Sequence, residues 1–278
     1  MRPKLRTGVA DRTSLIGLTN AAAEGRNVAS GAAGRDWRRQ QAEYLAWVKT
    51  AESALQNVFD DAWVWRELHS EYFWRIRELG DGSPRASELI SDEVRRQADR
   101  LDGLRQQTDA FLGRVHDAEG TMAVLDTHVL LHFVPPSQVD WLTVVGAKSV
   151  RLVVPLRVVE ELDEKKYTGR DDVAGRARRV IAALRRLVGP TGGRPAPVRE
   201  QTTVEVWLDD EPRRRGADAD QEVLDCCTEL VAAGADLRLV TDDAGLDIRA
   251  RAAGVAVVAL PEKYLRQRPP ERAAKSAR

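Results

Sequence analysis

The hydrophobic repeat of the chain changes period near residue 120, and that change limits what the chain can fold into more than any other feature. Before it, Trp37, Tyr44, Val48, Ala51, Leu55 and Val58 recur at steps of three and four, which draws one apolar face along a helix. Trp65, Leu68, Tyr72, Ile76 and Leu79 repeat the rhythm until Gly80, Gly82 and Pro84 stop it. Ser83 followed by Pro84 predicts a new helix start, and Ile90, Val94, Leu101, Leu104, Phe111 and Val115 continue on a heptad lattice interrupted by Gln97 and Thr108. The expectation is a helical bundle or coiled-coil accessory domain over residues 34–118, built of three antiparallel helices. Residues 1–33, rich in Gly, Ala, Thr and Arg without sustained periodicity, predict a mobile N-terminal segment.

Five of the seven tryptophans, at 37, 47, 63, 65 and 74, fall in the helical region. A stacking platform for bases would need them exposed beside a basic groove, whereas Trp37 and Trp65 lie on the apolar stripes and predict core filling. Trp47, Trp63 and Trp74 fall less neatly, which leaves room for a homodimer or protein-partner contact through this domain.

After a short hinge at 116–121, strands and helices alternate. Strands are expected at 122–126, 150–154, 202–208, 237–241 and 255–258. Helices are expected near 136–145, 156–166, 171–187, 218–233 and 243–252, with a Gly/Pro-rich loop from Gly189 to Pro197. Met-Ala-Val-Leu before Asp126 shows no polar alternation, as in a strand buried on both faces. The alternation predicts an α/β domain over residues 122–265 with a mostly parallel sheet covered by helices on both faces. Residues 266–278 read as a disordered basic tail.

Composition excludes several classes. The 43 basic residues are matched by 43 acidic ones, so no global field attracts nucleic acid and local patches must do so. Cys226 and Cys227 are adjacent, poor geometry for a disulfide and no match to zinc-site spacing, which suits a reducing cytoplasm. Ser14 to Asn20 interrupts the basic N-terminal stretch before it attains the apolar run of a secretory signal, and no segment approaches the ~20 apolar residues of a membrane span.

Four groups of acids stand at comparable places. Asp126 ends the first strand, Glu160 and Glu161 follow Pro155 at the next, Asp218 and Asp220 open a helix, and Asp242 and Asp243 follow Leu-Arg-Leu-Val-Thr. In a parallel sheet all would converge on the strand ends that open onto a ligand crevice. Singly, Asp218, Asp220, Asp242 and Asp243 are what helix N-caps and first turns call for, and Glu161 is placed to pair with Lys165. Together they repel, and a cation or bound protons must relieve them. Magnesium and manganese take such hard oxygen ligands; the absence of a nearby Cys/His ligand set weighs against zinc.

Leu125-Asp126-Thr127-His128-Val129-Leu130-Leu131, Val154-Pro155-Leu156-Arg157-Val158-Val159-Glu160-Glu161-Leu162-Asp163, Asp220-Gln221-Glu222-Val223-Leu224 and Val240-Thr241-Asp242-Asp243 resemble, in order and spacing, the four motifs of the PIN domain nucleases, particularly the branch with an ELD motif. The resemblance covers roughly residues 122–260. It implies a three-layer fold and a metal-dependent nuclease, a hydrolase that cleaves phosphodiester bonds, usually of single-stranded RNA. The positions that match the family's acids are Asp126, Glu161, Asp220 and Asp243, and these would bind one or two Mg2+ or Mn2+ ions. The chain departs from the family at His128, which stands where Asn is frequent, and at Ala219. It departs also at Asp242, which replaces a frequent Asn and leaves the last ligand open between Asp242 and Asp243. Thr127 or Thr241 could orient a water or phosphate, or serve only as turn hydroxyls.

A substrate needs a positive track. Arg176, Arg178, Arg179, Arg185 and Arg186 stud one helix, and Arg213, Arg214 and Arg215 form a run just before Asp220. Arginine grips phosphate through paired donors, so the three-Arg run is the expected substrate contact. The expectation is therefore an endoribonuclease. The alternatives are a non-cleaving RNA- or protein-binding adaptor, which would gain nothing from clustered unpaired charge, and a structure-specific DNase.

Overall fold

The structure is a computed structural model that describes residues 3–9, 12–30, 36–117, 119–168, 170–192, 194–208 and 218–266. The chain divides into two compact units, residues 1–118 with 232–235, and residues 119–231 with 236–278.

The first unit is helical: α1 (Ile16–Ser30), α2 (Trp37–Val58), α3 (Trp63–Arg66), α4 (Glu71–Arg77) and α5 (Ala86–His116). The segment expected to be a mobile lead-in contributes α1, which packs on α5 and α2 and buries Leu18, Ala21, Ala22 and Ala29. Its buried stripe is made largely of alanine and glycine, so a periodicity traced through large apolar side chains passes over it. Small residues are what the position requires. Trp47 is 1% exposed, its indole N–H donates to the Ala21 carbonyl at 2.7 Å, and a Cβ on Gly25 would stand 2.8 Å from the indole ring and 3.1 Å from Ala98. The core tryptophan is thus Trp47, while Trp37, Trp63 and Trp65 are only partly buried and Trp74 is exposed.

The single helix expected over 65–79 is two short ones. Side chains of α5 take carbonyls that a continuous helix would bond internally: Gln97 donates to the Glu67 carbonyl at 3.1 Å and Arg100 to that of Val64. Ser70 then caps α4 by accepting from the Phe73 amide. The last helix starts at Ala86 rather than Pro84, because Arg85 adopts a left-handed φ of 59°. Glu93, almost wholly buried on α5, accepts from Ser70, Gln97 and Arg96, which supplies the partners that a buried charge needs.

The second unit is α/β. Its elements run β1 (Thr121–Leu125), α6 (Thr127–His132), α7 (Trp141–Val145), β2 (Val150–Pro155), α8 (Leu156–Thr168), α9 (Asp171–Val188), β3 (Ala196–Arg199), β4 (Thr202–Trp207), α10 (Ala219–Ala232), β5 (Leu237–Val240), α11 (Ala244–Ala252) and β6 (Val257–Val258). The strand order is β3-β4-β2-β1-β5-β6, parallel throughout except where β3 runs against β4. Two elements were absent from the sequence reading. The bend after Asp126 winds into α6, and the end of the Gly/Pro loop forms the edge strand β3, where Pro197 sits without breaking a central ladder. The helix expected at 136–145 shortens to α7, capped by the Asp140 side chain at Thr143. Strand β2 is not wholly apolar: Arg151 and Glu205, each at most 2% exposed, form an ion pair of 2.7 Å between β2 and β4. Cys226 and Cys227 are both buried and neither forms a disulfide; burial pushes the Cys227 thiol up to about 12. Among the described residues, no helix is long and apolar enough to cross a membrane.

Two effects oppose each other at Gly25. Alanine gains about 1 kcal/mol of helix propensity over glycine, but its methyl would meet a fully buried ring that has no room to yield, at an overpacking cost of about 1–3 kcal/mol. We expect Gly25→Ala to lower the urea midpoint followed by tryptophan fluorescence; an unchanged or raised midpoint would show that the α1–Trp47 contact is not tight.

Candidate active site

Parallel pairing decides which residues share an edge. Leu125 is the partner of Val240, and Pro155 that of Trp207, so β1, β5, β2 and β4 end side by side. The residues just past those ends are Asp126, Thr241 to Asp243, and the start of α8; Asp218 is the next described residue after Leu208, which follows β4.

Asp126 is 6% exposed. It stands at the N-cap position of α6 without capping it by its side chain; instead its carboxylate accepts from the Thr241 hydroxyl at 3.1 Å. Burial pushes its carboxyl above the ordinary aspartate range. Hydrogen bonds from Thr241 and the Thr127 amide pull it back, and the negative charges of Asp220 and Glu161 add to the rise. Burial likewise raises Asp220; Arg249 opposes, and Asp218, Asp243 and Glu161 reinforce the rise. Asp126, Glu161, Asp220 and Asp243 therefore lie within one another's fields, linked through Asp220.

Each acid is held by identifiable partners. The buried Thr127 hydroxyl donates to Glu161, so Glu161 is fixed by α6 rather than by Lys165, and on the same helix it is Lys166 that pairs, with Asp163. Glu160 lies 3.7 Å from Arg157. Asp218 caps α10 by accepting from the Asp220 and Gln221 amides. Asp243 caps α11 at the Leu246 amide, 2.9 Å, while its own amide donates to Thr241 Oγ1 at 3.0 Å. Asp242 is exposed. Both threonines are thus engaged with the acids, Thr241 bridging Asp126 and Asp243. The run Arg213 to Arg215 lies outside the described residues.

One residue that sequence reasoning passed over belongs here. Arg249 of α11 donates to Asp218 and Asp220, both at 2.9 Å, which holds the Asp218 carboxyl below its usual range and raises the guanidinium. Its position, six residues after Asp243 on a short helix, was the only available signal.

Among the described residues, no three His, Cys, Asp or Glu side chains stand as a ready-made ion cage. The donor chemistry nevertheless fits a hard divalent cation: the ligands on offer are carboxylate oxygens, and a buried one of them bears the field of two others.

A family model for the PIN domain matches residues 123–260, spanning all four acids. Residues 123–260 are a PIN domain. PIN domains are generally nucleases that use divalent metals and act on nucleic acids. Among solved structures the chain is similar to a domain of a functionally unknown protein from Methanocaldococcus jannaschii DSM 2661, 17% identical, covering 55% of this chain and 97% of that one, with a TM-score of 0.35. A search of curated proteins finds no match.

The raised Asp126 carboxyl links this PIN site to stability. A folded-state value above the unfolded one contributes stability below the unfolded value, and that contribution is lost as pH rises through the folded value. Ionisation of the buried Asp126 therefore costs stability as pH rises, and Asp126→Asn removes that charge while leaving an acceptor for Thr241. We expect the variant to have a higher urea midpoint than the parent at pH 7, with the gain shrinking as pH falls into the acid range. A gain that stays constant with pH, or a loss at pH 7, would contradict the assignment.

Proposed function

We propose that this protein is a divalent-metal-dependent endoribonuclease that hydrolyses phosphodiester bonds of single-stranded RNA, with Asp126, Glu161, Asp220 and Asp243 as its metal ligands. The observation that carries the reading is a nearly buried carboxylate, Asp126, set in the field of two others at the carboxyl edge of a PIN sheet. Isolated burial of that kind is costly unless a cation or proton compensates. Held by these carboxylates, Mg2+ or Mn2+ would supply Lewis acidity that polarises a phosphoryl oxygen and lowers the pKa of water.

The chain's own residues set up that chemistry. Thr241 orients Asp126 and anchors the Asp243 backbone, and Thr127 orients Glu161, so both threonines are positioning residues. Asp243 is the better last ligand than Asp242, because it lies within the field of Asp220 and is fixed at the start of α11. Arg249 supplies positive charge to Asp220 and Asp218 at the rim. Arg213 to Arg215, just before Asp218 in the chain, would contact substrate phosphates. The helical unit would recruit a partner or a second copy.

Cleavage of a labelled single-stranded RNA is expected only with Mn2+ or Mg2+ and not with chelator. Asp126→Asn and Glu161→Gln should each slow it by about 100-fold or more, equivalent to ~3 kcal/mol of transition-state stabilisation. Cleavage of RNA by Asp126→Asn at the parent rate would refute the assignment; cleavage of DNA alone would replace RNA as the substrate.

A further inference from the structure

Beside the acid edge, the PIN unit opens a second, oppositely charged feature. A cleft of about 950 Å³ is lined by residues of α6, α8 and α9 and by the segment that follows β6. Among the described residues, four cations face it, Lys165, Arg170, Arg176 and Arg266, against one carboxylate, Asp172, which is already engaged by Arg176 at 2.8 Å. Among the described residues, Lys165 and Arg170 are in no ion pair. Arg266 belongs to a stretch that sequence composition assigned to a disordered tail, yet its amide donates to the His132 carbonyl at 3.0 Å and its guanidinium to that of Phe133. These bonds fix it on the rim; residues 267–278 lie outside the described residues.

Positive charge is crowded in the cleft. Burial lowers the Arg266 guanidinium, and the nearby Arg179 and Arg176 lower it further. The His128 and His132 rings stack at 4.2 Å with planes 28° apart, which gives one wall a flat aromatic surface among the cations. The cleft also adjoins the acids along the chain: His128 follows Asp126 by two residues on α6, and Lys165 follows Glu161 by one helical turn on α8.

We propose that this cleft seats the backbone phosphates of a single nucleic-acid strand, with a base against the His128–His132 face, so that the strand leaves the acid edge along α6 and α8. Guanidinium and ammonium groups are the side chains that bind backbone phosphates, and a flat ring beside them matches single-strand recognition better than it matches an acidic peptide. The proposal rests on the nuclease reading for its direction, since it names where the uncleaved part of the substrate lies. It adds a phosphate contact to the one proposed at Arg213 to Arg215.

The test measures binding apart from cleavage. In the full-length chain carrying Asp126→Asn, the affinity for a fluorescein-labelled 12-nucleotide RNA would be followed by anisotropy as NaCl is varied. Adding Lys165→Ala and Arg170→Ala should weaken binding at least about tenfold at low salt and flatten the slope of log K against log salt by ~1.4, from ~0.7 for each lost phosphate contact on a single strand. Lys165→Arg with Arg170→Lys, which keeps both charges, should restore most of the affinity and so separates charge from misfolding. Unchanged affinity and slope in the alanine variant would overturn the cleft, as would binding of a polyglutamate peptide in preference to RNA. If the charge-dependent binding holds but the parent chain cleaves nothing, the nuclease reading fails and the cleft stands. If the parent cleaves RNA and the alanine variant binds as before, the cleft fails alone.

Discussion

The PIN unit depends on a carboxylate placed where water cannot solvate it. Asp126 is almost buried at the end of a strand whose neighbours on both sides run parallel to it, and that arrangement gives the unit its chemistry. Parallel strands end together, so the segments that leave them bring their first polar residues to one edge. The hydroxyl of Thr241 and the amide of Thr127 offset part of the burial penalty, while Asp220 and Glu161 add to it. The edge is therefore short of positive charge in the folded state. Arg249 supplies some from the rim through Asp218 and Asp220, and a hard divalent cation bound among the oxygens would supply the rest.

Much of this was legible because it is written locally. An apolar run without alternation, closed by an acid, marks Asp126 at the end of a strand of a covered parallel sheet, and Asp243 follows β5 closely, whereas Glu161 and Asp220 lie on the helices that come after β2 and β4. What was not legible depends on contacts across sequence. Helix α1 escaped notice because its buried face is built from Ala21, Ala22 and Gly25, whose value lies in letting Trp47 approach. The split between α3 and α4 is imposed by Gln97 and Arg100 from α5. The Arg151–Glu205 pair needs the β2–β4 register to bring its members together, and nothing near either residue announces it.

The same distinction separates the two features proposed to face substrate. The acid edge follows from topology once the strands are recognised. The basic cleft draws on three helices and on Arg266, and no linear run of charge reports it; of the arginines that stud α9, only Arg176 faces the cleft. Opposite charge on adjoining surfaces is what a nuclease needs, since one surface must attract a polyanion and the other must hold a cation against its scissile bond. A chain with balanced overall charge can meet both needs only by sorting its charges in space.

The central claim is that the acids of the edge form one site for a divalent cation, with Asp126 at its centre. Calorimetric titration of Mn2+ into the full-length chain at pH 7 tests it without reference to any substrate. The account predicts saturable binding that is lost in both Asp126→Asn and Glu161→Gln, although those residues lie on different elements. Absence of saturable binding, or binding that survives both substitutions, would contradict it.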